Sequence, residues 1–265
     1  MAYNFLKPKT INVSQATWDI VKTKWYFWAP FLFIFIFGVF GIFALVVPFL
    51  YFVSVSIKVQ SSFWKEFAIA NGWQYKDTTL LELYNKSLEK EMGIMFKEGN
   101  TRNISNEITG TIKNRHFRIF CYGFTVGSGK NSRTYNYTVF AFKSIGIFPH
   151  IYLNNKSNSW NIDVGENIPL PKEFENKFSI STPQKYETEA LEIFTPDILA
   201  SLLQNNFLYD VEFVNQEILV FADGQINNFD QLEKRFNDAL TLNDLLAQKL
   251  DKFKFEKIGD LPSTL

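Results

Sequence analysis

The residues of this chain that could do chemistry are few and scattered. Gly127-Ser128-Gly129-Lys130 has the residue types of a phosphate loop, in which backbone amides wrap phosphate and a hydroxyl meets magnesium. That loop needs glycine, four residues, then Gly-Lys followed by Ser or Thr. Phe124 stands where the first glycine belongs, Asn131 follows Lys130, and no helix follows, so the stretch reads as a polar hairpin loop. His116 and Cys121 could make a thiol–imidazole pair, because a thiolate needs a base or positive charge beside it. Five apart on one strand, they point to opposite faces. His150, the only other histidine, could reach either through folding; otherwise Cys121 reads as core and the histidines as surface residues. Two histidines and one cysteine without compact ligand spacing make no zinc set, so no metal and no cofactor is expected.

Carboxylates are more numerous. Glu187, Glu189 and Glu192 precede a helix start, and Asp210 and Glu212 alternate on an expected strand. Two acids perform general acid–base work when burial separates their pKa values, whereas solvated acids do not. The remaining candidate is a basic hairpin: Arg115, Arg118, Lys130 and Arg133, interleaved with Phe117, Tyr122, Tyr135 and Tyr137. Such a surface suits anionic headgroups or single-stranded nucleic acid. The net charge of zero gives nucleic acid no bulk attraction, and nucleic acid is not an expected partner.

The elements that would hold these residues follow a long apolar run. Trp25 to Ile57, 33 residues closed by Lys24 and Lys58, carries no charge. About 20 apolar helical residues cross a bilayer core of roughly 30 Å, so this run is an anchor and the bilayer a partner. A cleaved signal has an apolar core of about 7–15 residues near the N-terminus, which does not fit. Trp18, Trp25, Tyr26 and Trp28 gather at the start, Phe31 opens the apolar centre, and Tyr51, Phe52 and Trp64 lie towards the end, as aromatic belts at the two interfaces would. A single tilted span is favoured over a hairpin turning near Gly38 and Gly41, whose arms of about 16 residues reach about 24 Å. Lys7, Lys9, Lys22 and Lys24 before the run against Lys58, Lys65 and Lys76 after it leave the side of the domain open.

The chain therefore divides into an N-terminal segment (1–24), an anchor (25–57) and a soluble domain (58–265), with a sub-boundary near 154–172. Val59, Phe63, Phe67 and Ala70 mark one helical face, stopped by Gly72 and continuing from the anchor. Leu80 to Met95 is ambiguous. Ile104 to Ile112, a turn at Asn114-Arg115, and His116 to Tyr122 predict a β-hairpin; Thr134 to Phe142 and Ile151 to Leu153 predict two further strands. Phe174, Phe178 and Ile180 begin another strand-like segment. Thr195-Pro196-Asp197 predicts a helix start, and Val211 to Phe221 reads as two strands turning at Asn215-Gln216. Asn228 with Gln231, then Phe229, Leu232, Phe236 and Leu240, predict a last helix with a break near Thr241. The fold class is α+β: a transmembrane segment, then an antiparallel-sheet domain with flanking helices.

Gly110, Phe117, Tyr122, Ser128-Gly129, Tyr137-x-Val139 and Pro149 occur in this order, followed by Phe174-x-x-x-Phe178-x-Ile180, Ala190…Phe194-x-Pro196-x-x-x-x-x-Leu202 and the strand from Glu217 to Phe221. In these positions, over roughly Trp73 to Leu250, the chain resembles a family of uncharacterised prokaryotic membrane-anchored proteins, a domain of unknown function. The resemblance implies residence in a prokaryotic cell membrane and carries over no catalytic residue. Together these readings give a membrane-anchored, non-catalytic binding or scaffolding module, partnered by the bilayer and by another membrane or envelope protein. The competing readings are a tethered hydrolase using paired carboxylates on an envelope or membrane substrate, and a lipid-surface module working through the basic hairpin.

Overall fold

The structure, a computed structural model, describes residues 3–24, 26–29, 31, 46–77, 93–158 and 164–250. Trp25, Gly38, Gly41, the apolar cluster from Leu80 to Tyr84 and the tail from Gly259 lie outside those residues.

Among the described residues, seven strands form one antiparallel sheet: β1 (Gln74–Lys76), β2 (Thr101–Ile112), β3 (Arg115–Val126), β4 (Arg133–Asn155), β5 (Glu166–Asn167), β6 (Phe178–Thr182) and β7 (Asp210–Asp223). The order is β1-β2-β3-β4-β6-β5, and β7 pairs with β4. Tyr137 pairs with Tyr122 of β3 and Asp223 of β7, so β7 lies along the opposite edge of β4. Helices accompany the sheet, among them α1 (Val13–Val21), α2 (Val46–Ala70), α3 (Lys172–Glu175), α4 (Glu187–Ile193), α5 (Pro196–Gln204) and α6 (Phe229–Leu250). The expected α+β class is present, as is the antiparallel meander over β2, β3 and β4; the short β1, paired with β2, was not among the expected strands.

The β2–β3 turn sits one residue earlier than its sequence reading. Ile112 pairs with Arg115, leaving Lys113 and Asn114 in the turn, both with positive φ (50° and 63°). Two left-handed residues give the turn the twist that flanking strands need. The predicted breaks in β4 and β7 are not strand ends. Both strands run on, and their pairing is irregular between Lys143 and Ile151, opposite Asn215 with φ of 53°. A left-handed residue inside a long ladder bends it without ending it, so Asn215 marks a bulge where the sequence suggested a hairpin.

The sheet is buried on both faces, as β3 shows. Phe117, Ile119 and Cys121 join one core, while Phe120, Tyr122 and Phe124 join the other. Helical residues of α1, α2, α4, α5 and α6 share the first core; Met95 and Phe96, in a 3-10 turn over Ile94–Lys97, share the second. In α6, the Gln231 N–H donates to Asn228 Oδ1 at 2.9 Å, so the predicted cap is made. No break follows at Thr241; its hydroxyl donates to the Asn237 carbonyl at 2.8 Å and the helix continues.

Residues 3–24 do not stand apart from the domain. Phe5, Val13 and Val21 belong to the first core. The Tyr3 N–H donates to Asn237 Oδ1 (2.6 Å) and the Leu6 N–H to Asn71 Oδ1 (2.9 Å). Around α1, the Val13 N–H donates to the Asn227 carbonyl at 2.8 Å and the Phe229 N–H to the Ile11 carbonyl at 2.9 Å. Asn12 caps α1 by accepting from the Gln15 N–H. The chain before the apolar run and the chain after it thus share one core.

Candidate functional site

The clearest candidate surface is apolar. α2 is 25 residues, about 37 Å long, and long and apolar enough to cross a membrane. Its two halves differ. Val46, Val47, Phe49, Leu50 and Ile57 are 53–65% exposed, while Phe63, Trp64, Phe67 and Ala68 are fully buried. The first half bares one apolar face beside the buried Pro48 and Val55, and the second half gives its Phe63–Phe67 face to the core. Soluble surfaces seldom expose so contiguous an apolar patch, which marks a contact with lipid or protein.

Aromatic residues gather at the base of that patch. Trp18 and Trp28 meet edge to face with ring centroids 6.2 Å apart, and the Trp28 indole N–H donates to the Lys22 carbonyl at 3.0 Å. Tyr26 lies edge to face on Tyr51, centroids 5.1 Å apart. Of the predicted anchor residues, Trp28 and Phe31 are exposed here, Phe52 is half-buried and packed on the core, and Trp25 lies outside the described residues.

The second candidate is a polar cluster on the other face of the sheet. Tyr152 of β4 pairs in register with Glu212 of β7, which brings His150, Tyr152, Asp210 and Glu212 together through the two-residue period of both strands. His150 Nε2 lies 2.6 Å from Glu212 Oε1, and the same oxygen accepts the Ile94 N–H at 2.6 Å. Glu212 Oε2 is buried without a hydrogen-bond partner among the described residues. It presses against Gly93, where a Cβ would fall on it. Asp210 accepts the Asn155 N–H at 2.7 Å on Oδ1 and the Tyr152 hydroxyl at 3.2 Å on Oδ2. Burial pushes the Asp210 carboxyl up to about 7, against these hydrogen bonds and that of Asn158, which pull it down. Burial, then the neighbouring acids, pushes the Tyr152 hydroxyl upward as well.

His150 is therefore not the surface histidine of the sequence reading; only 27% of its side chain is exposed and it is tied to Glu212. These acids face protein, and what they hold is the Gly93–Ile94 strap and the β4–β7 pair. The period-two spacing of His150/Tyr152 and Asp210/Glu212 was visible in the sequence, but the pairing of β4 with β7 was not. Glu187, Glu189 and Glu192 lie on α4 with little burial.

His116 and Cys121 point apart, as their odd spacing requires: His116 is exposed beside Thr111, and Cys121 is in the core, its thiol pushed up to about 12 by burial. The Gly127–Lys130 stretch is the β3–β4 connection, with Gly127 and Gly129 at positive φ (83° and 58°).

The four basic residues do not form one patch. Arg115 sits at the start of β3, 3.2 Å from Asp244 of α6, and Arg118 pairs with Glu107 of β2 at 2.8 Å. Lys130 and Arg133 lie at the other end of β3, about 36 Å from Arg115 along an extended strand. Arg133 stacks over Tyr135 at 4.8 Å. Two open clefts lie on the surface of the described residues. One, of 660 Å³, lies beside Trp73, Gly110, His116 and Arg118; the other, of 570 Å³, lies beside Asn154, Lys156, Leu170 and Phe178. Neither contains Asp210 or Glu212.

A solved structure shares this architecture. The mycobacterial trehalose monomycolate transport factor A superposes with a TM-score of 0.51 over 71% of this chain and 94% of that one, at 16% identity. The likeness is one of fold. No protein-family model matches the chain, and no curated protein does.

Proposed function

We propose that this protein is a membrane-anchored, non-catalytic module that binds or scaffolds another membrane or envelope protein. The observation that carries the reading is α2, a single helix with an exposed apolar face in its first half and a face buried in the domain core in its second. Such a helix couples a folded domain rigidly to a bilayer, where a flexible linker would leave the two independent. The fold shared with a transport factor for a trehalose-linked lipid supports an accessory role beside a protein that moves lipid or envelope material. The hydrolase reading loses its main support in the geometry of Asp210 and Glu212: three of their four oxygens meet backbone, Tyr152 or His150, and Glu212 Oε2 is buried against Gly93.

Two measurements test this. Membranes containing the full chain, washed with alkaline carbonate, keep it in the pellet; release into the wash overturns the anchoring. A broad hydrolase screen of the full chain in detergent finds no turnover that Asp210→Asn or Glu212→Gln abolishes. Such a loss would restore the enzyme.

A further inference from the structure

The hydrogen bonds between residues 3–13 and the rest of the domain decide the topology of the anchor. They are 2.6–2.9 Å long, and they join Tyr3, Leu6, Ile11 and Val13 to Asn71, Asn227, Phe229 and Asn237. Contacts of that length cannot be made through a hydrocarbon core of roughly 30 Å. Phe5, before the run, stacks on Phe236, after it, with ring centroids 4.7 Å apart. At the mouth of the run itself, Tyr26 and Tyr51 touch. One core and these hydrogen bonds hold both ends, so the chain enters and leaves the bilayer by the same face.

That result changes the meaning of the charges. With a single span, four lysines on one side opposed three on the other, which orients nothing. With both ends together, Lys7, Lys9, Lys22, Lys24, Lys58, Lys65 and Lys76 all lie on the domain side, and the run opposes them with no charge at all. Basic residues flanking membrane segments stay in the cytoplasm. Length adds a further restriction. Phe27 to Leu50 is 24 residues, about 36 Å as helix, whereas two crossings take roughly 60 Å.

We propose that the domain and both ends of the uncharged run lie on the cytoplasmic side of the membrane, so that the run enters and leaves the bilayer from that face. The domain is seated against the lipid headgroups by Trp18, Tyr26, Trp28 and Phe31 where the run begins. The partner of the proposed module then meets it in the cytoplasm, or is the cytoplasmic part of a membrane protein.

This inference rests on the anchoring proposed above, and cysteine labelling separates the two. Cys121 is the chain's only cysteine; it is buried with its thiol held protonated, so the unaltered chain gives a low background. Full-length chains carrying Asn4→Cys, Glu173→Cys or Gly38→Cys are expressed in bacterial membranes and treated with a membrane-impermeant maleimide. Asn4 and Glu173 are exposed on the domain and precede and follow the run. The expected result is labelling of both in inverted vesicles, protection of both in intact spheroplasts, and labelling of Gly38→Cys only after detergent. Opposite accessibility of Asn4→Cys and Glu173→Cys, labelling of both from outside, or labelling of Gly38→Cys in intact spheroplasts would each overturn the proposal. Loss of the unaltered chain in the carbonate wash would instead remove the anchoring beneath it.

Discussion

The rings of Phe5 and Phe236 lie flat on one another, 4.7 Å between centroids and 8° between planes, and they come from opposite ends of the described chain. Phe5 also meets Phe67 and Trp73 edge on, both at 5.9 Å. A short N-terminal segment is usually loose unless it is tied down, and here an aromatic cluster ties it. Phe5→Ala should therefore cost about 3–5 kcal/mol of unfolding free energy, as a buried phenylalanine does elsewhere. Leu6→Ala, at a side chain that is 61% exposed, should change it by less than about 0.5 kcal/mol. Urea titration of the detergent-solubilised full chain measures both. A loss below about 1 kcal/mol for Phe5→Ala would mean that the segment opens independently of the core.

The strap over the second core depends on one carboxylate and one missing side chain. The Ile94 N–H has Glu212 Oε1 as its acceptor, and only glycine at 93 leaves room for Oε2. Glu212→Ala leaves a buried amide without an acceptor, a loss of about 1–3 kcal/mol. Gly93→Ala costs at least as much through the clash. The two costs are coupled, because removing the carboxylate also removes what the new methyl group would strike. The double variant should be more stable than the sum of the single losses predicts, by about 1 kcal/mol or more. Additive losses would show that Gly93 and Glu212 do not meet in this way.

What the sequence disclosed follows from the range of each signal. Helix α6 was legible because its cap and apolar stripe are local: Asn228 with Gln231, then Phe229, Leu232 and Phe236. β3 was legible as a strand, and its two buried faces explain why His116 to Tyr122 soon loses its alternation. Asn114-Arg115 and Asn215-Gln216 were both turn-like, and only the register of neighbouring strands separates a hairpin turn from a bulge. The docking of residues 3–24 left no local trace, since it depends on Phe5 meeting Phe236 across the whole fold. Of the site, the apolar run was plain, but the burial of Asp210 and Glu212 and the separation of Arg115 from Lys130 depend on long-range pairing.

Asn215 allows a direct check of that distinction. Its φ of 53° suits asparagine or glycine and is a poor conformation for a β-branched residue. If the position were an ordinary strand residue, Asn215→Val would be tolerated or favourable, since valine is a strong strand former. As a bulge, it should accept Asn215→Gly at a smaller cost than Asn215→Val, which should lose more than about 1 kcal/mol. Thermal unfolding of the three chains ranks them, and Val above Gly would remove the bulge.

Asp210 gives the fold a pH dependence whose sign can be worked out. Its ordinary value of 3.8 describes the unfolded chain, and burial raises it to about 7 in the folded one. Between those values the folded state holds more protons than the unfolded state, so stability falls as pH rises. The contribution of the neutral carboxyl is complete below the unfolded value and is lost by the time pH passes about 7. Asp210→Asn keeps an acceptor for the Asn155 N–H and cannot ionise. The variant should therefore gain on the original chain with each step of pH from 4 to 7, by up to ~1.4 kcal/mol per unit and ~4 kcal/mol in all. Urea midpoints across that range give the difference directly. A difference that stays flat would mean that Asp210 ionises as freely folded as unfolded, and so that its carboxyl is not buried as described. A rising difference ties the group to burial under Tyr152 and Asn155, and so to the stability of the β4–β7 pair.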